Sequence, residues 1–364
     1  MVEVVSNRKE GLMRFHFVLH DIERSPIGLR QIVKRLCIRI AGFTAMTLFL
    51  AGMGCSRVNA PHAVSGNWTP PVLSYPDFIT ANKDYFVTRI GDVPQVNADS
   101  FRLEITGLVD TPRSFSLHDL MALPLVELPL TTECIGNTQN GSYVSTAIWK
   151  GFRLYDLLLS LGLDSSATGV KYKCADGYYA SHTMDQVKNN GVLGALFMNG
   201  DTLPPIQGFP LRMLNPGYYG AKQPAWVVSI EVSGQPLSDY WSDRGWDVSP
   251  PIAIDSKIFF PNFDTTIAAG DTLYVGGAAF GGTRVAKVEV TADSGATWKT
   301  ADIVRSMDAD NVWVFWLAKL VFARTGNVQI NARAMDIHGV VQPQSDPSFY
   351  NGTDDWPVIN VTVK

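Results

Sequence analysis

The pattern of apolar and polar positions divides the chain near residue 250 into two regions of different character. Before this point it predicts helices mixed with short strands. Phe101 to Val109 alternates as a half-buried strand does, and Ser116 begins a capping-box sequence that opens a short helix ended by Pro124. Trp149 to Leu163 carries leucines on one broad face and is predicted to be the strongest helix.

The second region follows Ser249-Pro250-Pro251 and contains short alternating strands with almost no helical pattern. Val285 to Val290, a cluster of turn residues and Trp298 in a second strand form the pattern of a β-hairpin. Repeated short strands and turns predict a sandwich of immunoglobulin type. The expected fold class is therefore α+β: a mixed α/β domain at about residues 77–250, then an all-β immunoglobulin-like sandwich at 251–364.

Residues 1–55 are predicted to be an export signal or N-terminal anchor. A basic stretch from Ser25 to Arg39 precedes an uncharged one from Ile40 to Gly54, which as a helix of about 22 Å is shorter than the ~30 Å membrane core. We expect a protein that is periplasmic or anchored on the outer face of the cytoplasmic membrane. Cys55 follows small residues, so it is a candidate lipidation site. Residues 56–76 are rich in proline and predict a linker or arm. A later start, at Met13 or beyond, is the alternative reading of the N-terminus.

Composition and charge narrow the function classes. The chain is 46% hydrophobic and 18% charged, as in an ordinary globular protein with roughly two domains of about 150 residues. Residues 1–54 hold eight basic and four acidic side chains, which leaves 22 basic and 30 acidic ones in the remainder. An acidic body does not attract a phosphate backbone, so we expect no nucleic-acid partner.

Candidate chemistry centres on one cysteine. The sequence has no GxSxG, Walker, HExxH or CxxC motif, and its histidines lack metal-ligand spacing. After residue 55 only Cys134 and Cys174 remain. Cys134 follows a short apolar strand and enters a loop rich in Gly and Asn, where backbone can approach a large ligand closely. The residues alone leave three alternatives open: a disulfide, a buried free thiol, or a ligand or nucleophile.

Six separated segments resemble, in the right order, the sulfite oxidase family of molybdopterin-dependent oxidoreductases over about residues 80–345. They are TTECIGN with WKGFRLYDLL, CADGYYASHTM, ALFMNGDTLPPIQGFPLRMLNPGYYGAKQPAW, VEVTADSGATWKTAD and RAMDIHGVVQP. The resemblance implies a molybdopterin-binding catalytic domain, a dimerisation-type sandwich, and a molybdenum cofactor. It also implies that Cys134 is the protein ligand to molybdenum, and a soft thiolate suits such a metal centre.

The same segments imply further site residues by position. The cofactor-binding set is Cys134, Asp176, Gln207, Arg212, Tyr219 and Lys222. Arg212 and Lys222 would contact the cofactor phosphate or the pterin, and Asp176 and Gln207 would form hydrogen bonds with the pterin. The catalytic set is Cys134, Arg89 and Tyr178.

Two positions depart from the family pattern for sulfite. YFVTRIGDVP has Thr88 where the family has a substrate-facing arginine, and ALFMNG has Leu196 where it has an active-site tyrosine. A sulfite dianion must exchange its hydration for fixed positive groups, so this pocket is expected to suit sulfite less well. Arg89 would restore the cation only with a shifted register, and Tyr178 would supply a hydroxyl.

We therefore expect an exported molybdenum oxidoreductase that transfers an oxygen atom to or from a small substrate. The sequence contains no heme, flavin or nicotinamide motif, so electrons are expected to pass through a separate cytochrome or membrane heme partner. The sandwich suggests a homodimer. One alternative is a periplasmic sulfoxide reductase acting on small or protein-bound S-oxides, whose uncharged substrate suits a less cationic pocket. Another is a cofactor-free secreted binding protein on the same fold, with Cys134 and Cys174 bridged.

Overall fold

The computed structural model describes residues 2–7, 14–19, 75–139, 141–261 and 265–364. The chain divides into two compact units, Met1–His62 and Ala63–Lys364. In the first unit β1 (Val2–Asn7) and β2 (Arg14–Leu19) form an antiparallel hairpin. Of the predicted export segment at 1–55 only these two strands are described, and the rest of it, with Cys55 and the arm up to residue 74, lies outside the described residues. Within the described ranges, no helix has the length and apolar character needed to cross a membrane.

The larger unit begins with a mixed α/β part of two five-stranded sheets. Its strands are β3 (Arg102–Gly107), β4 (Arg113–Ser116), β5 (Leu125–Glu133), β6 (Val144–Arg153), β7 (Gly169–Cys174), β8 (Tyr179–Thr183), β9 (Leu193–Met198), β10 (Asp201–Thr202), β11 (Arg212–Leu214) and β12 (Val227–Ser233). Its helices are α1 (Leu117–Met121), α2 (Leu154–Ser160) and α3 (Met184–Asn189). One sheet has the order β10-β9-β6-β5, with β11 also paired to β9, and the other has the order β4-β3-β12-β7-β8. Single 3-10 turns follow at Pro205–Gln207, Gly220–Lys222 and Ser242–Arg244.

The predicted strand at 101–109 and the predicted capping box are confirmed as β3 and the start of α1. The Ser116 hydroxyl accepts a hydrogen bond from the Asp119 amide, and the Asp119 carboxylate accepts one from the Ser116 amide. This reciprocal pair satisfies two backbone donors that a helix end would otherwise leave unbonded. Leu120, one turn inside α1, is fully buried.

The predicted helix from Trp149 to Leu163 is wrong in its first part. Residues as far as Arg153 belong to β6, and α2 begins only at Leu154. β6 lies between β5 and β9 in its sheet, and Gly151 lies so close to the Gly194 carbonyl that an added Cβ would be 1.9 Å from its oxygen. Pairing with two neighbouring strands therefore overrides the local helical pattern.

The rest of the unit is a two-sheet β-sandwich, as predicted. Its strands are β13 (Asp255–Phe260), β14 (Thr265–Ile267), β15 (Thr272–Phe280), β16 (Val285–Thr291), β17 (Lys299–Thr300), β18 (Asp302–Arg305), β19 (Val314–Val321), β20 (Gly326–Asp336) and β21 (Val358–Val363), with a 3-10 turn at Phe349–Asn351. The sheets have the orders β13-β15-β19-β18 and β14-β21-β20-β16-β17. Val275, Val288 and Trp316 belong to the core between them. The predicted hairpin is the β16–β17 pair, whose turn has Ser294 and Gly295 at positive φ.

The sandwich is attached to the mixed part along β5. Trp313 donates its backbone N–H to the Thr131 hydroxyl at 2.8 Å and its indole N–H to the Phe78 carbonyl at 2.9 Å. The Thr131 amide donates in turn to the Asn311 carbonyl at 2.9 Å. The Trp313 ring is 2% exposed and packs in a cluster with Phe78 and Ile135. The end of β5 is therefore fixed by residues of both parts.

We expect Trp313→Ala to lower the free energy of unfolding by about 4 kcal/mol, because it removes a buried indole and leaves a cavity at this junction. The measurement is urea denaturation followed by circular dichroism. Trp298→Ala is the control, since that half-buried ring packs on Arg333 and Trp356 within the sandwich, and less than half the effect is expected there. A loss below about 1 kcal/mol for Trp313→Ala would contradict this account of the junction.

Candidate active site

A cavity of about 280 Å³ in the larger unit contains six of the eight predicted site residues in its wall. These are Cys134, Arg89, Asp176, Tyr178, Gln207 and Arg212. Tyr219 and Lys222 do not line this cavity in the described part of the chain, although their neighbours Gly220 and Ala221 do. The structure thus brings together residues that are more than a hundred positions apart in the chain.

Cys134 occupies the first position after β5, at the start of a tight turn. Its carbonyl accepts a hydrogen bond from the Asn137 amide at 2.8 Å, and its amide donates to the Tyr143 carbonyl at 3.0 Å. Burial raises the pKa of the thiol, while hydrogen bonds from the Gly136 amide and the Thr88 side chain act in the opposite direction. The sulfur atom is therefore held in place and half-buried at the cavity wall.

Cys134 and Cys174 are both free thiols. The alternative in which they form a disulfide is therefore wrong for this structure. Cys174, the last residue of β7, is buried among apolar side chains and is not a lining residue of the cavity. The two thiols thus lie in different environments, and only Cys134 is available to a ligand in the cavity.

Arg212 supplies a cation without a carboxylate partner among the described residues. Its Nη1 donates to the Gln207 carbonyl at 3.3 Å and to the Gln207 side-chain oxygen at 3.1 Å. Its buried Nε atom has no hydrogen-bond partner, and its guanidinium lies 5.4 Å from the centre of the Trp149 ring. Burial lowers the pKa of Arg212, as expected for a desolvated cation. An anion in the cavity would satisfy this group.

Asp176 and Tyr178 lie in the turn between β7 and β8. The Asp176 carboxylate accepts a hydrogen bond from the Tyr178 amide at 2.9 Å, and burial raises the pKa of Asp176. The Tyr178 hydroxyl donates to the Ala221 carbonyl at 2.7 Å, so its proton is already engaged by the opposite wall. Tyr219, behind that wall, accepts a hydrogen bond from the Ala253 amide at 3.3 Å. The contacts of Tyr178 and Tyr219 therefore hold the segment 219–222 in place.

Lys222 is buried behind the cavity wall and already has an anionic partner. Its ammonium lies 2.9 and 2.8 Å from the two carboxylate oxygens of Asp239 and donates to the Ser181 carbonyl at 2.7 Å. Asp239 is itself 7% exposed, and a buried carboxylate of this kind requires a cation. The predicted contact of Lys222 with the cofactor would have to compete with this ion pair.

The two positions that depart from the family pattern put no free cation beside the thiol. Thr88 contacts Cys134 through its side chain. Arg89 lies at the rim, donates to the Gly91 carbonyl at 2.9 Å and is 3.8 Å from Asp92, with 41% of its side chain exposed. Leu196 is buried in β9 and is not a lining residue of the cavity.

Three tryptophans of the cavity wall were missed in the sequence. Trp241 and Trp246 have ring centres 6.0 Å apart, and Trp226 has a backbone φ of 54°, in the left-handed region that bulky residues rarely adopt. Trp226 is held there because its amide donates to the Gly208 carbonyl and its indole to the Pro205 carbonyl. The aromatic-rich segment YWSDRGW was a usable signal, but it has no periodicity that assigns it to a wall.

His182 supports the same wall from behind. Its Nε2 lies 2.8 Å from the Lys222 carbonyl, which can only accept, so Nε2 carries the proton. Nδ1 therefore accepts from the Tyr172 hydroxyl, also at 2.8 Å. Burial lowers the pKa of His182 to about 3, so the imidazole is neutral in the folded protein.

Comparisons with known proteins identify both parts of the larger unit. The family model of the oxidoreductase molybdopterin binding domain matches residues 90–241, and that of the Mo-co oxidoreductase dimerisation domain matches residues 249–353. Mitochondrial sulfite oxidase of Rattus norvegicus is 29% identical over 81% of this chain and 62% of its own length. Nitrate reductase [NADH] 1 of Phaseolus vulgaris is 26% identical over 79% of this chain and 40% of its own. The chain thus spans less than two thirds of these curated relatives.

One solved structure has the same fold. The sulfane dehydrogenase SoxCD of Paracoccus pantotrophus superposes with a TM-score of 0.69 at 19% identity, covering 87% of this chain and 96% of that one. This similarity confirms the expected fold class, a mixed α/β domain followed by an immunoglobulin-like sandwich.

The buried imidazole predicts a pH dependence of stability. The unfolded chain protonates His182 near pH 6.5 and the folded chain only near pH 3, so the unfolded state binds more protons between these values. Stability should fall as the pH falls through this window, by about 2 kcal/mol between pH 7 and pH 5. Urea denaturation at both pH values should show a fall smaller by that amount in His182→Gln. The exposed His118→Gln is the control, and an unchanged pH dependence in His182→Gln would show that His182 is not the source.

Proposed function

Because this chain belongs to the sulfite oxidase family of molybdopterin-dependent oxidoreductases, we propose that it transfers an oxygen atom to or from a small substrate at a molybdenum cofactor bound in the Cys134 cavity. The observation that carries the proposal is that one cavity is lined by both a free, half-buried thiol and a cation without a carboxylate partner among the described residues. A thiolate is a soft ligand suited to the metal, and Arg212 offers a charge for the cofactor phosphate.

The residues present fit this cofactor. Cys134 would provide the protein sulfur, and its turn already directs the Gly136 amide and the Thr88 side chain at that sulfur. These two donors stabilise the thiolate, which must lose its proton to act as a ligand. Gln207 holds the Arg212 guanidinium and leaves Nε unbonded in the cavity wall. When bound, the cofactor supplies the two-electron redox chemistry of oxygen-atom transfer.

Asp176 would act as a hydrogen-bond acceptor for the pterin, since its carboxylate lines the cavity and is held there by the Tyr178 amide. Tyr178, through its bond to Ala221, would hold two walls of the cavity at a fixed separation. Lys222 and Tyr219 would act from behind the wall, through the ion pair with Asp239 and the contact with Ala253. The residues of the chain would thus bind and orient the cofactor while excluding water from much of it.

A second candidate function is the reduction of small or protein-bound S-oxides. The observation that favours it is that, among the described lining residues, the cation predicted to face the substrate is engaged elsewhere, while Arg212 is assigned to the cofactor phosphate in this proposal. Arg89 is tied to Gly91 and Asp92 at the rim, and the wall next to it is formed largely by aromatic and aliphatic side chains. A dianion would lose its hydration there without compensation, whereas an uncharged S-oxide would not.

We also propose the wider setting of the reaction. The protein would be exported, with a separate cytochrome-type or membrane heme partner exchanging electrons with the cofactor. The match of residues 249–353 to a dimerisation domain supports a homodimer. Size-exclusion chromatography with light scattering tests the dimer, and fractionation of the native host tests the location.

The decisive test of the proposed function is the molybdenum and pterin content of protein made in a host that synthesises the cofactor. We expect about one molybdenum per chain, and a loss of turnover of at least about 100-fold in Cys134→Ala because the metal loses its protein ligand. Cys174→Ala is the matched control, since this buried thiol is not a lining residue of the cavity. Well-folded wild-type protein that contains neither metal nor pterin would rule the proposal out.

The direction of oxygen transfer is tested by parallel assays of sulfite oxidation with a one-electron acceptor dye and of sulfoxide reduction with a reduced dye. Because Arg89 is engaged at the rim and Arg212 is assigned to the cofactor, we expect kcat/KM to favour the S-oxide by at least about tenfold, which corresponds to about 1.4 kcal/mol. Equal or higher kcat/KM with sulfite would reject the second candidate and show that a dianion finds its cation in the assembled site.

A further inference from the structure

Three buried ionisable side chains connect the sandwich to the residue before Cys134. Glu133 ends β5, and Asp255 and Lys257 lie on β13. The Lys257 ammonium is 2.7 Å from an Asp255 carboxylate oxygen and 3.5 Å from a Glu133 oxygen. All three side chains are 2 to 3% exposed. A single ammonium therefore links two carboxyl groups, one on each part of the larger unit.

The same ammonium also contacts the Cys134 turn (residues 134–138) directly. Lys257 donates to the Thr138 carbonyl at 3.2 Å. Asn137 donates its side-chain N–H to Glu133 at 2.9 Å and accepts the Tyr143 amide on its side-chain oxygen at 3.1 Å. The end of the turn is thus bonded to Lys257 itself and to Glu133, the carboxyl group that Lys257 contacts.

On the sandwich side, the cluster is anchored in the sheet framework. Asp255 accepts hydrogen bonds from the Ser256 amide at 2.7 Å and from the Gln342 side chain at 2.8 Å. Gln342 accepts in turn from the Ala334 amide on β20 at 3.0 Å and donates to the Asp355 carbonyl at 3.1 Å. The position of Lys257 is therefore set by strands of the sandwich.

Burial of this cluster between the two domains costs free energy. Desolvation penalises each ionisable group, and well-packed apolar residues of similar volume are often at least as stable. Burial raises the pKa of both Glu133 and Asp255, as expected for carboxyl groups removed from water. Apolar contacts are not directional, whereas hydrogen bonds fix the turn at defined atoms.

We propose that Lys257 is a positioning residue through which the sandwich holds the Cys134 turn, and with it the sulfur that faces the metal. The inference rests on the proposed function for its metal. The contacts by which Lys257 fixes the turn lie within the chain and do not require the metal. Experiment can therefore test the role of Lys257 and the proposed function separately.

The test uses the purified holoenzyme of three variants. Lys257→Met removes the ammonium and leaves Asp255 unneutralised, whereas the double variant Asp255→Asn/Lys257→Met removes that charge as well. Lys287→Met is the control, because this lysine of β16 is 39% exposed and pairs with Glu289 within the sandwich. The readouts are hydrogen exchange of amides 134–143 by mass spectrometry and the electron paramagnetic resonance spectrum of partly reduced molybdenum.

We expect exchange in 134–143 to be at least about tenfold faster in both Lys257 variants, with little change in the control. The molybdenum spectrum should shift in both variants that lack Lys257. In the double variant the shift should persist even if its thermal stability returns to that of the wild type. Faster exchange spread evenly over the chain or confined to the sandwich strands, with an unchanged spectrum, would show that Lys257 is merely structural and overturn the inference. Wild-type protein that contains neither molybdenum nor pterin would refute the proposed function, while the exchange rates would still decide whether Lys257 holds the turn.

Discussion

The site depends on how the last residues of β5 are held between two domains. The Thr131 hydroxyl accepts the Trp313 amide, and one position after β5 ends the Cys134 turn begins. Because β5 is paired to β6 on one side and bonded to the sandwich on the other, its end has little freedom to move. A sulfur atom on a flexible loop would adopt many orientations toward a metal, whereas the position of the Cys134 sulfur is fixed by the junction of β5 with the sandwich.

Among the residues that the structure describes in the larger unit, the cations at the core are paired with carboxylates, except for Arg212. Lys222 lies against Asp239, and Lys257 lies against Asp255, so each buried ammonium has a carboxylate. Arg212 lines the cavity, has only the oxygens of Gln207 as hydrogen-bond partners and keeps a buried Nε without a hydrogen bond. Buried cations without an anion are costly, and the exception therefore indicates where an anion from outside the chain belongs.

Much of the fold was predictable, because its signals are local. The Ser116 cap, the change to short strands after residue 250 and the position of Cys134 directly after a strand all depend on neighbouring residues. The helix predicted from Trp149 failed because strand pairing with β5 and β9 lies outside any sequence window. The same reason hid the link between Glu133 and Lys257, which are separated by more than a hundred positions.

The site also distinguishes residues proposed to bind the cofactor from residues that shape the rim, a distinction that the sequence pattern did not reveal. Arg212 and the Cys134 turn, which we propose to hold the cofactor, are fixed by contacts within the wall. Among the described residues Arg89 is tied only to Gly91 and Asp92, whereas Trp246 also lies against Gly136 of the Cys134 turn. Substitution of Arg89 therefore alters the pocket at little structural cost, whereas substitution of Trp246 also disturbs the turn. Family membership thus constrains the cofactor strongly and the substrate weakly, and substrate choice has to be inferred from the charge and shape of the rim.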